Sequence, residues 1–156
     1  MARPLQEEIR QQTPFESLEQ EAVLNVLRTA DVLQQRITAV LKPFKLSNSQ
    51  YNVLRILRGA GPEGLACREI SERMITHDPD ITRLLDRLEA RGLLTRTRDQ
   101  KDRRVVTARI TSEGQRLLEA LDGPITEADR RPLEHLGEQR LRALIELLEL
   151  ARDRGG

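Results

Sequence analysis

The chain has 156 residues, which suits one compact domain, or one domain with a helical extension, and can bury a core without disulfide bonds. Apolar residues make up 38% and charged residues 33%, while aromatics are only 2%, so Leu, Ile and Val must fill the core, and the Leu/Glu/Arg-rich mix favours helix. Cys67 is the only cysteine, which excludes an internal disulfide and suits a reducing cytosol. No apolar run approaches the roughly 18 residues of a membrane span, and MARPLQEEIRQQ lacks the apolar stretch of a signal peptide. The reading is of a soluble, cytoplasmic protein with no membrane partner.

The net charge of +1 hides an uneven distribution. Residues 47–110 carry 13 basic against nine acidic side chains, net +4; residues 1–46 balance, and residues 111–156 are net −3. Positive charge therefore gathers in the middle third, as a nucleic-acid surface requires.

In chain order, residues 1–15 are polar, contain Pro4 and Pro14, and read as a flexible arm. Residues 16–41 fit a long helix, with Leu18, Ala22, Val23, Leu27, Ala30, Leu33, Ile37, Val40 and Leu41 at three- and four-residue steps, ended by Pro43. It is longer than a small core needs, so part of its stripe is free for a second subunit. Ser47 with Gln50 forms a capping box for a helix whose core face is Tyr51, Val53, Leu54, Ile56 and Leu57 and whose stop is Gly59 and Gly61. A short helix spans about 66–74. After a tight turn, Asp78 is placed to cap the next helix and Pro79 to open it. In that helix Ile81, Leu84, Leu85 and Leu88 make one apolar stripe, and Asp80, Thr82, Arg83, Asp86, Arg87 and Arg91 the polar face.

A β-hairpin is expected next, Leu94 to Arg98 paired with Val105 to Ile110, the second strand alternating Val106, Ala108 and Ile110 with Val105, Thr107 and Arg109. Its tip concentrates Arg98, Asp99, Lys101, Asp102, Arg103 and Arg104. Thr111 starts another helix, which Gly123–Pro124 and then Pro132 are expected to break or kink. A last helix fits 138–152.

A short helix joined by a tight turn to a capped amphipathic helix is a helix-turn-helix, and a hairpin directly after it is a wing. The fold class expected is mainly α with a small β-hairpin wing: a winged helix-turn-helix plus a helical dimerisation region. The second helix would enter a major groove with Thr82, Arg83 and Arg87, while Arg98, Lys101, Arg103 and Arg104 reach phosphates or a minor groove. Asp102 would orient a wing arginine through a bidentate contact. Ser47 and Ser49 sit at a helix N-terminus that can hold a phosphate, and Arg68 can touch the backbone of the duplex. Bland alternatives stand beside these readings: a solvated turn for the tip, an exposed face for Arg83 and Arg87, and capping alone for Ser47.

The stretches SQYNVLRIL, ACREISERM, DPDITRLLDRLEARGLLTRTRDQKDRRVVTARITSEG and LGEQRLRALIELLEL resemble the MarR family of bacterial transcription regulators over about residues 16–152. The most specific piece is Asp102-x-Arg104, the alternating strand, then Thr111-x-x-Gly114. The resemblance implies a ligand-responsive repressor working as a homodimer on a pseudo-palindromic operator, with no cofactor. Residues 16–46 and 113–156 would then serve dimerisation and 47–112 bind double-stranded DNA. It also implies a small-molecule effector cleft near Phe44, Tyr51 and Leu57. Pro79 and Asp80 depart from a purely basic reading helix; the acid could accept from cytosine.

Two rival functions fit the residues less well. A winged-helix protein-interaction module would suit Asp78 and Asp80 but not the basic tip. A hydrolase fails on inventory, because His77 and His135 are far apart and no nucleophile elbow, phosphate loop or metal set is present.

Overall fold

The computed structural model describes residues 1–153 as two compact units, Met1–Arg36 and the chain from Ile37 onward. The first unit departs from the expected flexible arm. Residues Leu5–Glu8 form a one-turn helix, α1, and Leu5 is buried. Gln6 Nε2 donates to the carbonyl oxygens of Gln11 and Thr13 at 3.4 and 3.3 Å, and Arg28 Nε lies 3.7 Å from a Glu8 oxygen. A single buried leucine and an amide side chain hold this segment, and neither leaves a periodic signature.

At the start of the long helix α2 (Leu18–Leu41), Gln20 N–H donates to Ser17 Oγ at 3.0 Å, and the Gln20 side chain accepts from Glu16 N–H at 2.8 Å. Leu18, Val23, Val26, Leu27 and Val32 on it are exposed. It ends in a 3-10 turn at Lys42–Phe44, whose fixed-φ Pro43 closes the helix as expected.

In the second unit α3 (Asn48–Ala60) carries the expected Ser47–Gln50 box, with contacts of 3.1 and 3.0 Å, and stops at Gly61 with φ 74°. Then come α4 (Cys67–Arg73), α5 (Ile81–Ala90), α6 (Ser112–Arg130) and α7 (Gly137–Arg152). The sheet has three antiparallel strands in the order β1 (Leu65–Ala66), β3 (Val106–Ile110), β2 (Leu94–Arg98). The hairpin pairs Leu94 with Ile110 and Arg96 with Ala108, and Leu65 takes the other side of Ala108. Ala108 is fully buried between its two neighbours, as its place in the alternation predicts.

One core serves the unit. Leu41, Leu54, Leu57, Ile70, Leu85, Leu88, Leu94, Leu118 and Leu121 are fully enclosed. Each stabilises the fold by about 2 kcal/mol relative to exposure. The Thr111-x-x-Gly114 pattern has a steric cause. Thr111 Oγ1 donates to the Gly92 carbonyl at 2.6 Å and accepts from Gly114 N–H at 3.1 Å. A Cβ at Gly114 would sit 2.4 Å from the Leu93 carbonyl oxygen, so only glycine lets α6 start against the hairpin.

Of the two expected breaks, the one at Gly123–Pro124 does not occur, while the one at Pro132 does. The helix runs through Pro124 to Arg130, because the buried Leu118, Leu121 and Ile125 on one stripe outweigh the lost backbone bond. The chain turns only at 131–136, around Pro132.

Candidate nucleic-acid interface

The interface is built on α5. Its buried Leu84, Leu85 and Leu88 face the core, and Thr82, Arg83, Asp86 and Arg87 stand exposed on the opposite side. The preceding turn is held by side chains. Asn52 Oδ1 of α3 accepts from Ile75 N–H at 2.8 Å, and Asp78 Oδ1 accepts from Asp80 N–H at 2.9 Å. The helix is capped by Asp80, not by Asp78: Asp80 has non-helical φ −126° and accepts from Arg83 N–H at 3.1 Å. Pro79 therefore lies outside the helix. Asp78 is already spent on folding the turn back, which moves the start to Ile81. One Asp80 oxygen is engaged in the cap, leaving the other for any base or cation.

The hairpin tip is shaped by aspartates. Asp99 Oδ1 accepts from Lys101 N–H at 2.7 Å, and Asp102 Oδ1 accepts from Arg104 N–H at 3.1 Å. Asp102 also takes the Arg104 guanidinium through both oxygens, at 3.1 and 3.4 Å, which is the bidentate geometry expected for it. That guanidinium holds the Asp102 carboxyl below the usual aspartate range. Arg98 reaches back to the Arg103 carbonyl at 3.1 Å. Arg104 remains 91% exposed despite its partner, and Lys101 and Arg103 are exposed, their side chains without an acid among the described residues.

Other expected contacts are less free. Ser47 Oγ is engaged in its cap, Ser49 is half-buried, and Arg68 pairs with Glu72 at 3.2 Å. Burial pushes the Cys67 thiol up, and the cation that opposes the rise is Arg96. Among the described residues no cluster of acids, His or Cys suits a metal. Of the cleft residues, Phe44 is half-buried in the 3-10 turn, and Tyr51 is buried with the Arg55 guanidinium 5.9 Å from its ring centre. Leu57 is fully enclosed in the core.

Two of the next three groups escaped the sequence reading, and the third was legible only as Asp86 pairing with Arg83 or a wing arginine. Arg91, at the end of α5, donates to the carbonyls of Lys45 and Phe44 at 2.8 and 2.9 Å. Arg58 of α3 and Asp122 of α6 make a two-bond contact, both at 2.9 Å, which lowers the Asp122 carboxyl. Arg96 of β2 joins Glu89 and Asp86 of α5. All are tertiary contacts between residues whose spacing fits no helical or strand period.

An exposed polar helix after a braced turn, followed by a basic hairpin, defines a winged helix-turn-helix protein. Comparison with known proteins agrees. The MarR family profile matches residues 46–106. The transcriptional regulator PecS of Dickeya dadantii is 30% identical over 145 residues, covering 90% of this chain and 87% of PecS. A MarR transcription factor from Planctomyces limnophilus shares 44% identity and a TM-score of 0.68, covering 88% of this chain and 99% of that one. CouR from Rhodococcus jostii, solved bound to p-coumaroyl-CoA, is 27% identical with a TM-score of 0.72, covering 86% and 94%. The chain belongs to the MarR family of helix-turn-helix transcription regulators.

Proposed function

We propose that the chain is a ligand-responsive repressor that binds double-stranded DNA as a homodimer in the cytoplasm. The observation that carries this reading is the surface of one lobe. Arg83 and Arg87 on α5 and Lys101 and Arg103 at the wing tip are exposed and unpaired with acids, backed by a rigid leucine core. Thr82, Arg83 and Arg87 face base edges and adjacent phosphates. Arg98, Lys101, Arg103 and Arg104 take phosphates or a narrow minor groove. Residues 47–112 form the reading lobe, and 16–46 and 113–156 the dimerisation segments. Support comes from apolar side chains left in water: Leu18, Val23 and Leu27 on α2, and Ile145, Leu147 and Leu150 on α7. Two-fold pairing would set two recognition helices about 34 Å apart, one duplex turn, on a pseudo-palindrome.

The ligand half of the proposal leans on relatives such as CouR, whose structure holds p-coumaroyl-CoA. By analogy an organic effector would bind near Phe44 and Tyr51 and release the operator.

Footprinting on DNA upstream of the protein's own coding region tests the reading. A protected two-fold site whose affinity falls steeply with salt supports it. Equal, weak binding to all duplexes at every salt concentration would refute it.

A further inference from the structure

Arg96, on the first strand of the hairpin, is largely turned away from solvent, with its side chain 19% exposed. It sits on β2, which has a strand neighbour on one side only. On its open side the Arg96 backbone N–H donates to Glu89 at 2.8 Å. The guanidinium NH2 then donates to the other Glu89 oxygen at 3.0 Å and to Asp86 one turn away. Glu89 and Asp86 both belong to α5. A backbone bond and a forked side-chain contact therefore tie the wing's first strand to the recognition helix at one point. The same cation offsets two carboxylates that would otherwise repel each other and a nearby polyanion.

We infer that Arg96, held by Glu89 and Asp86, is the positioning residue that makes the recognition helix and the wing a single rigid reader of DNA. The inference rests on the DNA-binding reading above. Its physical basis is preorganisation: a wing already fixed against α5 loses no freedom when both seat on the duplex, whereas a loose wing must be ordered at the expense of affinity. Arg96 itself touches no phosphate. It acts through the tip residues it places.

A double-mutant cycle on the full chain tests this, using a duplex that the parent protein selects from a random-sequence pool. Arg96→Met, Arg104→Ala and the double variant are compared for affinity against salt and for thermal melting. Arg96→Met should weaken binding about tenfold or more, roughly 1.4 kcal/mol. Arg104→Ala should lower the salt slope by about 1 in the parent. In the Arg96→Met background Arg104→Ala should change almost nothing, because an undocked wing makes few contacts to lose. Arg96→Lys, which still places a cation between both acids, should recover part of the loss. Independent, additive effects of Arg96→Met and Arg104→Ala in folded protein would overturn the inference, since a merely structural arginine would not couple to the tip. If Arg96→Met does not fold, Glu89→Gln replaces it: the amide oxygen accepts one of the two bonds, and the same non-additivity with Arg104→Ala is expected, additivity again overturning the idea. A parent that selects no duplex would refute the DNA-binding reading, and this inference with it.

Discussion

The base and the tip of the hairpin obey different rules. At the base, Leu94 and Ala108 have no exposed surface, and Arg96 is bound to α5. At the tip, Asp99, Asp102 and Arg104 hold only their own loop, and the side chains of Arg103 and Lys101 hold no acid among the described residues. The base is built for stability and the tip for contact. A basic side chain's usefulness to a partner thus depends on whether the fold has already claimed it: Arg96 and Arg58 are claimed, Arg103 is not.

That contrast can be broken by substitution. The largest effect is expected at the base: Leu94→Ala should lower unfolding free energy by about 3 kcal/mol in urea titration, the lost burial of the side chain plus the cavity left behind. Next, Arg83→Ala should cost about 1–3 kcal/mol of discrimination between the preferred duplex and a single-base variant, read by competition binding. Asp80→Ala removes the α5 cap and should cost about 1 kcal/mol of stability by thermal melting. At the tip, Arg103→Ala should leave stability within about 0.5 kcal/mol of the parent while weakening binding to all sequences alike. If Arg103→Ala destabilised as much as Leu94→Ala, the division between base and tip would be false.

The smallest effect concerns pH. Arg58 holds the Asp122 carboxyl below its ordinary value, so the unfolded chain takes up that proton first as pH falls. The pair's contribution is fully present above the unfolded aspartate's pKa, about 3.9, and is lost as pH drops through the lower folded value. Both side chains are partly exposed, so screening limits the contribution to about 0.5–1 kcal/mol. Asp122→Asn should therefore lower the melting temperature slightly at neutral pH, by a margin that shrinks as the pH falls below the ordinary aspartate range.

Much of this was legible in the residues themselves, where the signal is local. The Ser47–Gln50 box, the Leu84, Leu85, Leu88 stripe and the Val106–Ile110 alternation each need only near neighbours, and each formed. Three things did not follow. β1 is two residues long, too short for any period. The cap moved from Asp78 to Asp80 because two aspartates competed, and turn geometry decided between them. Pro124 did not break α6 because burial of the residues around it outweighed one missing bond. The reading face of α5 and the tip were visible as charge. A wing arginine on Asp86 was legible, but Arg96 as that arginine and Glu89 as its second partner were not, because an arginine flanked by threonines in a strand looks the same whether or not a helix lies beneath it.

The capture of the Arg96 amide by Glu89 has a further consequence for how this protein survives in a crowded cell. A strand with one flank unoccupied invites another chain to zip onto it, the first step towards aggregates. Here the flank is five residues long, studded with Arg96 and Arg98, and plugged by a carboxylate at its centre. The bond that steadies the finger also keeps stray strands from docking there.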